Sequence, residues 1–167
     1  MIRNASPDDA KAIAKVHVDS WKSTYAGVLP QASLDDLGYR GREAIWKGLD
    51  PESTFVAEQE GVIVGFVSVG AERSQDPVFG GELYAIYILE SWQRRGIGRE
   101  LFLRGVRALV ERGFDAMLLW VLRDNPARSF YEAMGGSYLR SQSITIFGAE
   151  LQEDAFGWTE LRGLLNQ

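Results

Sequence analysis

Residues 86–99 constrain this chain more than any other stretch of it. Ile86-Tyr87-Ile88-Leu89 is a strand-forming run, Glu90-Ser91-Trp92 turns it, and Gln93-Arg94-Arg95-Gly96-Ile97-Gly98-Arg99 opens the most regular amphipathic segment of the sequence. From Arg99 to Arg112, Leu101, Phe102, Val106, Leu109 and Val110 share one helical face, and Glu100, Arg104, Arg107 and Glu111 line the opposite one. A helix start leaves its first amide hydrogens unpaired and carries about half a positive charge, so it attracts an anion. Gly96 and Gly98 remove side chains that would keep a phosphate from the backbone, and Arg94 and Arg95 add donors matched to phosphate oxygens. In physical terms the segment is a pyrophosphate cradle, although a Gly-X-Gly taken alone reads as no more than a tight strand-to-helix turn. It is not a P-loop, because no Gly-Lys-Ser/Thr string follows its glycines. It is not a dinucleotide fingerprint either, since Leu101 stands where the third glycine would be and the glycines lie mid-chain.

The flanking sequence predicts one α/β domain spanning residues 1–167. An opening strand over Met1–Ala5 leads to a helix start at Ser6-Pro7-Asp8-Asp9, with a capping hydroxyl, a first-turn proline and acids at the positive end of the dipole. Ala10, Ile13, Ala14, His17 and Trp21 then fall on one helical face. Ser33 to about Leu49 reads as a second, less regular helix interrupted by Gly38 and Gly41. Thr54–Gln59 and Val62–Val69 form a hairpin around Glu60-Gly61. Further strands are expected over Glu82–Leu89 and Ala116–Leu122, and a helix over Pro126–Met134 closed by Gly135-Gly136. Two last strands are expected over Ser137–Ser143 and Ile144–Leu151. The order predicts a mixed, mostly antiparallel sheet with helices on both faces.

Composition removes several chemistries. The absence of cysteine excludes a disulfide framework, thiolate metal sites and a cysteine nucleophile. His17 is the single histidine, so no metal site is expected and a Ser-His-Asp triad would have to use it. A net charge of -5 argues against nucleic acid as a partner. Arg94, Arg95, Arg99, Arg104 and Arg107 could form a basic strip, but Glu100 and Glu111 on the same face as Arg104 and Arg107 blunt it. No apolar run approaches the roughly 20 residues that span a bilayer, and no membrane partner is expected. The N-terminus lacks the layout of a signal peptide, so the expectation is a soluble cytoplasmic protein.

Gln93-Arg94-Arg95-Gly96-Ile97-Gly98, preceded by its strand, resembles the Gln/Arg-X-X-Gly-X-Gly/Ala signature of the GNAT acetyltransferase superfamily. Asn125-Pro126-Ala127-Arg128-Ser129-Phe130-Tyr131-Glu132-Ala133-Met134-Gly135-Gly136 is similar to a second family segment, Asn-X-X-Ala-X-X-Phe-Tyr-X-X-X-Gly-Phe. With the element order, the resemblance covers nearly the whole chain. Glu90 departs from it where proline is common, and Gly136 where an aromatic residue is common.

The resemblance implies the acyl-CoA N-acyltransferase fold and transfer of an acetyl group from acetyl-CoA to a primary amine of a small molecule, peptide or lysine, by direct attack in a ternary complex. By it, the backbone of Ile86, Tyr87 and Ile88 would pair with the pantetheine arm, and the amide of Ile88 would polarise the thioester carbonyl. Gln93, Arg94, Arg95, Gly96, Ile97, Gly98 and Arg99 would hold the pyrophosphate. Asn125 would bond the pantetheine, flanked by Ala127, Arg128 and Phe130. Tyr131 would be the acid that meets the departing thiolate, since a phenol with a pKa of about 10 stays protonated at neutral pH; the alternative is a helix aromatic packed in the core.

The base that relieves the amine of its proton stays open. Glu82 at the start of the cofactor strand is one candidate, or else an exposed acid near Gly80-Gly81. His17 has the right titration range, yet sharing a face with Ile13 and Trp21 marks it as a packed histidine; Asp19 is a third choice. Trp21, Tyr25 and Tyr39 form either an aromatic wall around the acceptor or ordinary core. Gly157-Trp158 resembles a strand or tail element of small bacterial members, and Leu161, Leu164 and Leu165 mark a possible homodimer contact. A catalytically silent acyl-CoA-binding sensor is the alternative function; Tyr131 and the glycine loop favour the enzyme.

Overall fold

The structure, a computed structural model, describes residues 1–167. Seven strands form one open sheet in the order β1-β2-β3-β4-β5-β7-β6. The chain enters through β1 (Ile2–Asn4) and α1 (Ala10–Tyr25), then two short helices, α2 (Gln31–Asp35) and α3 (Tyr39–Trp46). Next come β2 (Thr54–Gln59), β3 (Val62–Ala71), β4 (Gly81–Ile88), α4 (Ile97–Glu111) and β5 (Met117–Leu122). The chain ends with α5 (Arg128–Ala133), β6 (Ser137–Ile146), β7 (Ala149–Trp158) and α6 (Leu161–Leu164). All neighbouring strands run antiparallel except β4 and β5. No helix is long and apolar enough to cross a membrane.

Period-2 alternation in the central strands sends apolar side chains to both faces. On one face Phe55, Val67 and Val69 meet Leu101, Phe102 and Val106 of α4. On the other, Val56 and Phe66 meet Ile13 and Val16 of α1. Helices therefore cover both faces, as the sequence pattern predicts. Gly105 is the contact point of α4: a Cβ there would lie 2.9 Å from Cγ1 of Val69, closer than packed atoms tolerate.

Three expectations are corrected. The helix expected over Ser33–Leu49 is two helices, because Gly38 is extended (φ -99, ψ 139) and restarts the chain as the N-cap of α3. The last hairpin turns at Phe147-Gly148 (φ 50 and 76), so β6 continues past Ser143 to Ile146 and β7 runs on to Trp158. Phenylalanine rarely adopts positive φ, and that hides this turn from sequence reading. Leu161, expected at a dimer contact, is fully buried, and Leu164 and Leu165 pack on the same core. Leu161 seals the chain's own interior beside α4, while Leu164 and Leu165 stay partly exposed.

Gly136 also finds its reason here. A Cβ on it would lie 2.6 Å from the Trp158 ring, and the Trp158 indole donates to the Met134 carbonyl at 2.9 Å. The aromatic group usual at Gly136 is thus supplied by β7.

Asp154 on β7 fastens this half of the sheet. Its buried carboxylate accepts from Arg123 at 2.9 Å and Ser141 at 2.5 Å, and lies 3.3 Å from the guanidinium of Arg128 on α5. Arg123 first, then Ser141 and Arg128, hold it below the usual carboxylate range against its burial. A carboxyl lowered by folding contributes stability above its unfolded value of about 3.9, and that contribution disappears as pH falls through the lower folded value. Urea titrations should therefore lose stability as pH drops below about 4. Asp154→Asn should be less stable at neutral pH and show a shallower acid limb; a variant with an unchanged limb would remove Asp154 from the linkage.

Candidate active site

The site is made where β4 and β5 part. They pair in parallel at only two rungs, Gly81 with Met117 and Glu82 with Leu118, and then diverge. A β-bulge shifts the β3–β4 register between Ser68/Ala85 and Val69/Leu83, which leaves Tyr84 as the extra residue and re-aims the strand beyond it. The Leu89 amide donates to the Val64 carbonyl on β3. Because successive residues of a strand point their amides to opposite sides, those of Ile88 and Ile86 face the gap toward β5. Donors left open at the centre of a sheet must find a partner that is not the neighbouring strand.

That gap opens into a cavity of about 740 Å³. The glycine loop forms one end. Gly96 caps α4 in the left-handed region (φ 86), and Arg94 adopts φ 60, which a side-chain-bearing residue holds only under constraint. A Cβ at Gly98 would sit 3.1 Å from Cδ1 of Ile88 and 3.6 Å from the Phe130 ring, so any larger residue would fill the corner between loop, strand and α5. The Gln93 side chain donates to the Ile88 carbonyl at 3.1 Å and pins the loop to the strand end. Arg94 and Arg99 reach the cavity, while Arg95 lies over the Trp92 ring at 4.7 Å and Ile97 turns into the core. Glu90 is exposed, so its charge faces solvent.

The opposite wall comes from β5 and α5. Asn125 accepts from the Ala127 amide at 2.9 Å and donates to the Tyr25 hydroxyl at 3.1 Å, so the two sides of the gap are tied through α1. Ala127, Phe130 and Tyr131 line the cavity; Arg128 instead turns to Asp154. Burial holds the Tyr131 phenol well above its ordinary range, with the Tyr87 and Tyr25 hydroxyls adding to the effect. A neutral O–H donor is thereby maintained at every physiological pH.

Of the expected acceptor wall, Trp21 and Tyr25 line the cavity with ring centroids 4.9 Å apart, and the Trp21 indole donates to the Tyr87 hydroxyl at 3.0 Å. Tyr39 stands apart, exposed on α3 and bonded to Asp19 at 2.6 Å. Asp19 is also paired with Lys15. His17 is packed: it stacks on Tyr87 at 5.1 Å and accepts from the Trp46 indole at 3.2 Å, and burial lowers its pKa to about 4, helped by Arg42. Glu82 is buried, with both oxygens accepting from Arg73, whose side chain and not that of Glu82 reaches the cavity. Sequence reading missed Trp120, Ile144, Ile146 and Glu153, which close the far side. The hairpin's true register places Ile144, Ile146 and Glu153 there, while Trp120 comes from β5.

Arg104 guards the α4 surface differently from the expected basic strip. Its guanidinium lies 3.8 Å from the Phe55 ring centroid and 3.9 Å from Glu111.

Residues 15–136 match the sequence profile described as the Acetyltransferase (GNAT) family. The chain belongs to this family. It is 42% identical over 164 residues to the uncharacterized N-acetyltransferase YuaI of Bacillus subtilis, covering 98% of this chain and 95% of that one. Over 104 residues it is 38% identical to the mycothiol acetyltransferase of Thermomonospora curvata, a match covering 62% of this chain and 33% of that longer one. The fold is shared with yncA, a putative acetyltransferase from Salmonella typhimurium solved with acetyl-CoA, at TM-score 0.71 and 21% identity over 95% of this chain and 92% of that one. For this GNAT chain, acetyl-CoA at about 100 times its Kd should raise the melting temperature by about 5–10 °C. Gly98→Glu, which adds bulk and negative charge at the loop, should abolish that shift while the protein stays folded. A normal shift in the variant would put the phosphate site elsewhere.

Proposed function

We propose that this protein is an N-acetyltransferase that moves an acetyl group from acetyl-CoA to a primary amine entering from the α1 side of the sheet. The observation that carries the reading is the open edge of β4. Amides of Ile86 and Ile88 face a gap that has a glycine-lined helix start at one end and a buried phenol beside it. A pantetheine arm would satisfy those donors as an added strand does, and the helix start would take the pyrophosphate. When bound, the thioester supplies an activated acetyl group with a thiolate as leaving group.

The residues then divide the work. The Ile88 amide donates to the carbonyl oxygen as negative charge gathers on it, an interaction stronger in the transition state than before it. Tyr131 donates its O–H toward the sulfur; because burial raises this phenol, its contribution is a hydrogen bond to developing charge with the proton following late. Trp21, Tyr25 and Tyr87 orient the amine and exclude bulk water. For the amine's proton we propose water in the cavity as the acceptor rather than Glu82, whose oxygens are engaged by Arg73.

The test is release of free CoA thiol across a panel of amines, with Tyr131→Phe beside the wild type. Loss of the hydroxyl should lower kcat by about 10²-fold with acetyl-CoA binding nearly unchanged. Full activity in the variant would return Tyr131 to packing, and binding without thiol release from any amine would favour the silent sensor. Glu82→Gln should leave the shape of the rate-against-pH curve unaltered. Loss on the acid side recovered at high pH would make Glu82 the base.

A further inference from the structure

Past Tyr131 the cavity continues under α1 and the β6–β7 hairpin, and its charges are unevenly placed. Arg94 and Arg99 belong to the glycine-loop end, and Arg73 is neutralised by Glu82. Glu153 is the single carboxylate on the cavity wall. It stands on β7 opposite Leu122 of β5, half-buried, with Oε1 accepting from the Gln142 side chain at 2.5 Å. Its other oxygen bonds nothing in the chain. Around it the wall is aromatic and aliphatic, from Trp21, Tyr25, Ile144 and Ile146. On α1, Ser20 adds a buried hydroxyl with no partner.

A carboxylate on such a wall attracts a cation, and the aromatic faces beside it do so as well. Position decides which cation. Glu153 pairs with Leu122, which packs against Tyr25, whereas Tyr131 packs on Phe156, with ring centroids 6.5 Å apart, and Phe156 points to the other face of β7. The carboxylate is therefore set on the Tyr25 side, away from the place where the leaving sulfur is met. The nitrogen under acetylation must shed its charge before it attacks, so a fixed anion away from that point does nothing for it. It suits a second cationic group that stays charged throughout.

We propose that Glu153 binds the second cationic group of a diamine acceptor and so selects dicationic amines over monoamines of the same length. This rests on the transferase reading above. The ammonium would donate to the free Glu153 oxygen, with Trp21 and Tyr25 flanking the connecting methylenes. No bond is made or broken at this end; it contributes binding and register.

The experiment measures kcat/KM by thiol release with acetyl-CoA for a series of straight-chain α,ω-diamines and for monoamines of equal length. In the wild type at least one diamine should exceed its matched monoamine by about 10- to 100-fold, the worth of one hydrogen bond to a charged group. Glu153→Gln, which can keep the contact with Gln142, should bring that ratio down to about one, chiefly through KM. Its acetyl-CoA melting shift reports that it is folded, and the wild-type comparison stands without any variant. Equal turnover of matched amines by the wild type would overturn the inference and leave the transferase reading intact. So would a Glu153→Gln enzyme that keeps the preference, or one that loses kcat on every amine and regains it at high pH, which is the mark of a base. If no amine of either kind releases thiol, the transferase reading fails and this inference falls with it.

Discussion

Everything at the site depends on two strands that stop pairing. β4 and β5 share two rungs and separate, and the cost is a row of open backbone groups in the middle of a sheet. A closed sheet would be more stable and would have no room for a ligand. The chain offsets the defect around the gap. The Tyr84 bulge turns β4 away, Asn125 and Tyr25 bond across the opening through α1, and α4 aims its N-terminus at one end. On the proposed function, the open edge is the strand that a bound acyl donor pairs with, and the helix start beside it takes the phosphate.

Rigidity elsewhere makes that arrangement useful. α5 has only six residues, too few to position Tyr131 by itself. It is held from beneath by Arg128 on buried Asp154 and from its C-terminal end by the Trp158 indole on Met134. On the other side His17, Trp21 and Tyr87 form a stacked and hydrogen-bonded cluster that fixes α1 on the sheet. If these are the donor and acceptor sides, as proposed, their anchoring to different faces lets an amine and a thioester meet at a set distance, which is what orientation contributes to rate.

The glycine loop, the helix behind it and the alternating core strands were legible because each rests on short-range rules: unpaired amides at a helix start, a 3.6-residue stripe, a period of two. The packed state of His17 was legible for the same reason, from its neighbours Ile13 and Trp21 on one helical face. What escaped reading depends on contacts between distant segments. The engagement of Glu82 by Arg73 crosses a loop, the seat of Trp158 against Gly136 joins two elements, and Glu153 enters the wall only because Phe147 accepts a positive φ and lengthens the hairpin. Tyr39 was misplaced by a helix break at Gly38 that turned it outward. None of these carries a local pattern.

The central claim is that the gap-facing edge of β4 is the surface a bound acyl donor completes. Amide hydrogen exchange, followed by NMR with and without acetyl-CoA, tests it most directly. The account expects the Ile86 and Ile88 amides, together with those at the start of α4, to exchange readily in the free protein and to become protected on binding, while the Leu89 amide, already bonded to Val64, changes little. Protection gained elsewhere on the molecule, with Ile86 and Ile88 unaffected, would contradict it.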